Sequence, residues 1–131
     1  MKKEDCKVLV VDDNQDFAEA MADVLELNGY SVDRVFDGED AIRKFRKTDY
    51  DFVFIDVKLP GINGYESYLE IRKIKPMAKV VMMTGYSVKQ LLQQAMQNGV
   101  MEILYKPFDM SKALDLLQQT DPSVNGEPTA P

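Results

Sequence analysis

Five short apolar segments, each ending at or beside a polar residue and each followed by a stretch of helical periodicity, constrain this chain more than any other feature. That alternation is the pattern of strands joined by crossover helices into a parallel sheet. The first segment, KVLVV from Lys7 to Val11, is a continuous apolar run, which predicts a strand covered on both faces. Tyr30 to Val35 alternates polar with apolar residues and reads as a strand nearer an edge. DFVFID, from Asp51 to Asp56, sets four apolar residues between two aspartates; KVVMMT, Lys79 to Thr84, and Glu102 to Tyr105 complete the set.

Between these segments the period changes. Asn14 predicts the cap of a helix carrying Phe17, Met21, Val24 and Leu25, closed by Asn28-Gly29. Asp37-Gly38 is a turn before a helix with Ala41, Ile42 and Phe45. The segment LPGING places Pro60, Gly61 and Gly64 in a loop, after which Leu69, Ile71 and Ile74 lie on a helix running to about Lys75. Val88, Leu91, Leu92, Ala95 and Met96 form a stripe closed by Asn98-Gly99, and a last helix covers roughly Ser111 to Gln119. Met96 and Met101 read as core or partner-face filler. With right-handed crossovers the expected fold is α/β, a three-layer, doubly wound (βα)5 sandwich. TDPSVNGEPTAP, from Thr120, is poor in apolar residues and rich in proline, so 1–119 is expected to form one domain and 120–131 a disordered tail or the start of a linker.

Composition removes several functions. At 131 residues one domain with a single real core is expected, without metals or disulfides as staples. The sequence has no His, which excludes Ser-His and Cys-His catalysis, imidazole metal ligands and a phosphohistidine made on this chain. One Cys, Cys6, forms no internal disulfide, and with no signal peptide or membrane-length apolar run a cytoplasmic location is expected. Sixteen Lys plus Arg against 22 Asp plus Glu give a net charge of -6, which argues against direct nucleic-acid binding and suits a divalent cation.

Chemistry is expected at the carboxyl ends of the strands, where open α/β sheets bind ligands. Asp12 and Asp13 follow the first strand, Asp56 ends the third, Thr84 ends the fourth, and Lys106 follows the fifth. Taken singly, each has an ordinary explanation: a helix cap for either aspartate, a β-branched strand residue for Thr84, a surface lysine for Lys106. Together they repel and attract in a way that asks for a ligand. Two such carboxylates at ~4 Å repel by ~4 kcal/mol at an effective dielectric of ~20. A hard cation such as Mg²⁺, held by one or two carboxylates and retaining waters for a phosphate, offsets that. Asp56 is then a carboxylate nucleophile, with the cation, Lys106 and the Thr84 hydroxyl neutralising the incoming phosphoryl oxygens.

VLVVDDNQ, VFIDVKLPGINGYE, VVMMTGY and ILYKPFD, in this order and spacing over about residues 5 to 119, resemble the receiver domain of two-component response regulators. The resemblance implies a flavodoxin-like fold with strand order 2-1-3-4-5 and a phosphorelay module that is a signalling switch rather than an enzyme, promoting its own Mg-dependent phosphorylation and dephosphorylation. Asp56 resembles the aspartate phosphorylated by a partner's phosphohistidine. Asp13 resembles the principal acidic Mg²⁺ ligand, Asp12 assists through water, and Asp56 and the Lys58 backbone carbonyl complete the protein ligands. Thr84 and Lys106 resemble the phosphate-contacting switch pair, with a cis Lys106-Pro107 bond. Lys58 and Tyr86 occupy positions that in the family flank the phosphoryl group and modulate attack by water. The implied partners are a sensor histidine kinase as phosphodonor, an effector domain beyond residue 131 or a separate protein target, and a phosphorylation-dependent second copy; nucleic acid and membrane are not among them.

One position departs from the family pattern. Receivers commonly carry Tyr or Phe three residues before the lysine, and here that residue is Ile103; Tyr105, two residues on and on the same face, is the alternative carrier of an aromatic gate. Two other functions ask for residues at positions where this chain has different ones. A haloacid-dehalogenase-type hydrolase needs a second acid two residues after the nucleophile, where this chain has Lys58. A flavodoxin-like cofactor carrier needs a phosphate cradle where this chain has DDNQD.

Overall fold

The computed structural model describes residues 5–85 and 89–120. Strands β1 (Lys7–Val11), β2 (Ser31–Val35), β3 (Phe52–Asp56), β4 (Lys79–Thr84) and β5 (Glu102–Tyr105) form one sheet in the order β2-β1-β3-β4-β5, every pair parallel. Helices α1 (Gln15–Leu27), α2 (Gly38–Lys47), α3 (Gly64–Ile74), α4 (Lys89–Gln97) and α5 (Met110–Thr120) connect and follow them. The expected doubly wound sandwich and strand order are those observed.

Alternation along the strands divides the core in two. Val8, Val10, Phe52, Phe54, Val81, Met83 and Leu104 pack with α1 and α5 through residues such as Met21, Leu25 and Leu117. Leu9, Val11, Val53, Ile55, Val80 and Met82 face α2, α3 and α4, meeting Phe45, Ile71 and Leu92. Because successive side chains of a strand point to opposite faces, a central strand covered on both must be apolar along its covered length, as residues 8–11 of β1 and 52–55 of β3 are.

Element ends differ from expectation where glycine and side-chain caps act together. Gly64, expected in a loop, is the first residue of α3. Asn63 accepts from the Glu66 backbone N–H while the Glu66 carboxylate accepts from the Asn63 N–H, a capping box that fixes the helix start one residue earlier. Gly38 likewise belongs to α2, with Asp37 as its cap. A Cβ on Gly38 would lie 2.0 Å from the Ser67 Oγ, so the absent side chain is what lets α2 and α3 approach. β2 and β3 each begin one residue later than expected, at Ser31 and Phe52, and α5 reaches Thr120, one residue into the segment assigned to the tail. The expectations for Tyr86 and Val88, and for 121–131, concern positions outside the described residues. Met96 is 45% exposed on α4, whereas Met101 packs against the α1/α5 core. Among the described residues, no helix is long and apolar enough to cross a membrane.

Candidate functional site

Strand register gathers the chemistry at one rim of the sheet. Val11 pairs with Ile55, Asp56 with Met83, and Thr84 with Tyr105, so the carboxyl ends of β1, β3, β4 and β5 lie side by side. Pairing runs past the strand ends: the Asp12 N–H donates to the Val35 carbonyl at 3.2 Å and the Lys106 N–H to the Thr84 carbonyl at 2.8 Å. Asp12, Asp56 and Lys106 are each two residues beyond Val10, Phe54 and Leu104, which all face α1 and α5. The pleat therefore delivers two carboxylates and one ammonium to the same side. Thr84, two residues beyond Met82, continues the opposite face.

The local backbone holds these groups tightly. Asp12 is fully buried; its Oδ1 accepts from the Asn14 N–H at 2.9 Å and its Oδ2 from Lys106 Nζ at 2.5 Å. Asn14 in turn caps α1 by accepting from the Phe17 N–H. Asp56, 8% exposed, accepts from the Lys58 N–H at 3.2 Å through Oδ1 and from Lys106 Nζ at 3.0 Å through Oδ2. Its carbonyl side is packed against Gly64, where a Cβ would meet the Asp56 carbonyl oxygen at 2.2 Å, and the Gly64 N–H donates to the Val57 carbonyl at 2.8 Å. Only glycine fits there, so α3 begins hard against the backbone of Asp56.

Asp13 is exposed, yet one oxygen from each of Asp12, Asp13 and Asp56 lies within 4.8 Å of the others. Three hard carboxylate oxygens converging in this way fit an oxygen-seeking divalent ion. The Asp56 carboxyl is raised above the ordinary carboxylate range, chiefly by burial and further by the charge of Asp12, against the opposing hydrogen bonds from Lys106 and Lys58. For Lys106, burial pulls the ammonium down, and the hydrogen bonds and attraction of Asp12 and Asp56 outweigh it, so its pKa is raised. The ammonium thus bridges two like charges and offsets their repulsion.

Every site residue expected from sequence, within the described residues, stands at this rim. Thr84 is buried beside Gly85, and Lys58 is exposed after Asp56. The Lys106-Pro107 bond is cis. Tyr105 and Ile103 share a face, as expected, and line a groove of about 730 Å³ with Leu92 and Met96 of α4; Tyr105 is 56% exposed there. Sequence reasoning missed two things. One is that Asp12, expected to assist, is the buried partner of Lys106. The other is Phe17, expected only as core, whose ring lies under the Lys106 ammonium at 4.2 Å from its centroid. Its place in the first turn of the helix that follows the acidic pair was the available signal.

The family model of the response regulator receiver domain matches residues 8–118. A response regulator receiver protein of Anaeromyxobacter sp. (strain Fw109-5) is 35% identical over 110 residues, covering 84% of this chain and 46% of its own length, so the chain spans about half of that relative. Among solved structures, the response regulator TrrA of Thermotoga maritima, in complex with Mg(2+)-BeF, has a TM-score of 0.77 at 33% identity, covering 87% of this chain and 97% of that one. A response regulator of Burkholderia pseudomallei with a phosphorylated aspartic acid, calcium ion and citrate has a TM-score of 0.81 at 27% identity, covering 95% of this chain and 73% of that one.

Proposed function

Because the chain belongs to the response regulator receiver domain family, we propose that it accepts a phosphoryl group on Asp56 from the phosphohistidine of a partner sensor kinase, in a Mg²⁺-dependent reaction. The observation that carries this reading is the convergence of Asp12, Asp13 and Asp56 within 4.8 Å, with the Lys106 ammonium 3.0 Å from Asp56 Oδ2. An Asp56 carboxylate oxygen forms the new O–P bond as the N–P bond of the donor breaks, and the departing imidazole keeps the electron pair. When bound, Mg²⁺ supplies charge neutralisation for the phosphoryl oxygens. Asp13, Asp12, Asp56 and the Lys58 carbonyl are the groups that would hold it. Lys106 neutralises the phosphoryl oxygens from the other side, and the Thr84 hydroxyl donates to one of them. The same groups promote attack by water on the phosphoaspartate, with Lys58 and Tyr86 limiting its access.

Output follows from the placement of Thr84. Movement of its hydroxyl toward the phosphoryl group shifts a two-state equilibrium in the neighbouring face of α4, β5 and α5, where the groove beside Ile103 and Tyr105 lies. That face controls an effector domain, a separate target or a second copy of the chain. These 131 residues contain no His, so the donor imidazole lies outside them. The test is incubation with acetyl phosphate and Mg²⁺ followed by intact mass. One phosphoryl increment is expected, absent without Mg²⁺ and absent in Asp56→Asn; an increment that persists in Asp56→Asn overturns the assignment.

A further inference from the structure

An ammonium group has three N–H donors and no acceptor. Two of those on Lys106 reach Asp12 Oδ2 at 2.5 Å and Asp56 Oδ2 at 3.0 Å. On the remaining side lies the face of Phe17, its centroid 4.2 Å from Nζ. Phe17 is itself set by two contacts: its N–H is bonded to the α1 cap Asn14 at 3.1 Å, and its ring meets Phe108 edge to face at 78° and 6.1 Å between centroids. The Phe108 side chain stands two residues beyond Lys106, so the ring that receives the ammonium is braced by the segment that carries it.

We propose that Phe17 is a positioning residue for phosphoryl transfer, holding the Lys106 ammonium over Asp56 by a cation–π contact when Asp12 is engaged elsewhere. The inference rests on the phosphorylation reading above. In the structure Lys106 shares Asp12 with the site expected to hold a divalent cation, and Asp12 Oδ1 is already committed to the Asn14 N–H. When Asp12 Oδ2 also turns toward the cation, through water, its hold on Lys106 weakens, and the long side chain relies more on Asp56 and the Phe17 face for its direction. An aromatic face attracts a cation without competing for the carboxylate oxygens or adding a charge to the site. Leucine in its place would preserve apolar contact with the α1/α5 core and remove that attraction. The ordinary alternative, that Phe17 is only an apolar wall, predicts that a ringless side chain of similar bulk serves equally well.

The test uses the full chain with Phe17→Leu and Phe17→Met as ringless variants and Phe17→Tyr as the ring-retaining one, each checked by thermal melting. Without metal, the Lys106 ε-methylene proton resonances are expected upfield in the wild type and in Phe17→Tyr, through the ring current, and near their ordinary positions in both ringless variants. With acetyl phosphate and Mg²⁺, the ringless variants are expected to phosphorylate about threefold to tenfold more slowly, the range a partly desolvated cation–π contact supports, while Phe17→Tyr stays close to wild type. Ringless variants that keep the wild-type rate overturn the positioning role, as does a wild-type lysine resonance with no upfield shift. A wild-type chain that takes up no phosphoryl group, with the upfield shift intact, overturns the phosphorylation reading and the role built on it, which separates that failure from the others.

Discussion

Lys106 Nζ stands closer to Asp12 Oδ2, at 2.5 Å, than to Asp56 Oδ2, at 3.0 Å, although Asp56 is the residue its family resemblance pairs with phosphate. In this state the lysine is a counter-ion for a buried aspartate before it is anything else. Its removal leaves two neighbouring carboxylates unshielded. Lys106→Met in chelator is expected to lose about 3 kcal/mol of stability, the scale for stripping one partner from a buried ion pair. Mg²⁺ should restore part of that, and bind several-fold more tightly than to wild type because its competitor for Asp12 has gone. Calorimetric titration with MgCl2 and a pair of thermal melts check both.

The raised Asp56 carboxyl sets a pH dependence. A folded-state pKa above the unfolded value means that the native state holds this proton more tightly, so the stability it contributes is present in acid and is lost as pH rises through the folded value. Asp56→Asn removes the cost of the buried charge. In metal-free buffer its melting temperature is expected to exceed that of wild type at neutral pH, with the gap closing as pH falls toward the ordinary aspartate value of about 3.9. Melts from mildly acidic to neutral pH give the comparison; a gap that widens on acidification would contradict the sign.

At Gly64 the obstacle is backbone, which cannot swing aside. A Cβ there would be 2.2 Å from the Asp56 carbonyl oxygen and 2.9 Å from the Val57 Cα. Gly64→Ala is expected to destabilise the chain by about 2 kcal/mol, within the range for overpacking, and to slow phosphorylation by displacing the acceptor strand. Gly85→Ala, whose Cβ would meet no atom within 4 Å among the described residues other than its chain neighbours, is the control for stability.

Helix α3 also grips the far end of α4. The Asn98 carbonyl accepts from both the Tyr68 hydroxyl and the Arg72 guanidinium at 2.6 Å, and Asn98 Nδ2 donates to the Tyr65 hydroxyl at 2.8 Å. Tyr68→Phe should cost about 1 kcal/mol, the net worth of one hydrogen bond, and speed amide exchange at Asn98 to Val100. Unchanged exchange in that turn would show that Arg72 and Tyr65 suffice to secure it.

Much of this was legible in the chain because strand and helix patterning depend on near neighbours. KVLVV and DFVFID announce strands buried on both faces, and Asn14 and Asn98-Gly99 mark where helices begin and end. The rim residues were legible as a set because strand ends in a parallel sheet must meet. Which aspartate is buried was not, since that depends on how the pleat continues past Val11 after regular pairing stops. Gly64 was misplaced because glycine suggests a loop, although the Asn63 and Glu66 spacing of a capping box was there to read. The meeting of Phe17 with Lys106 joins opposite ends of the chain, and no local pattern encodes it.

The opposite facing of Thr84 and Lys106 makes the sheet a partition between two compartments. Charge is balanced in one, under α1 and α5; the other is closed by apolar packing against α2, α3 and α4. The sheet separates them, and at its rim the two residues stand on neighbouring strands joined by the Lys106 N–H to Thr84 carbonyl bond. A one-residue slip of β5 against β4 would leave both side chains in the protein and put Lys106 on the Thr84 side of the sheet. The rim would then keep all its residues, and Asp12 and Asp56 would lose the ammonium that lies between them.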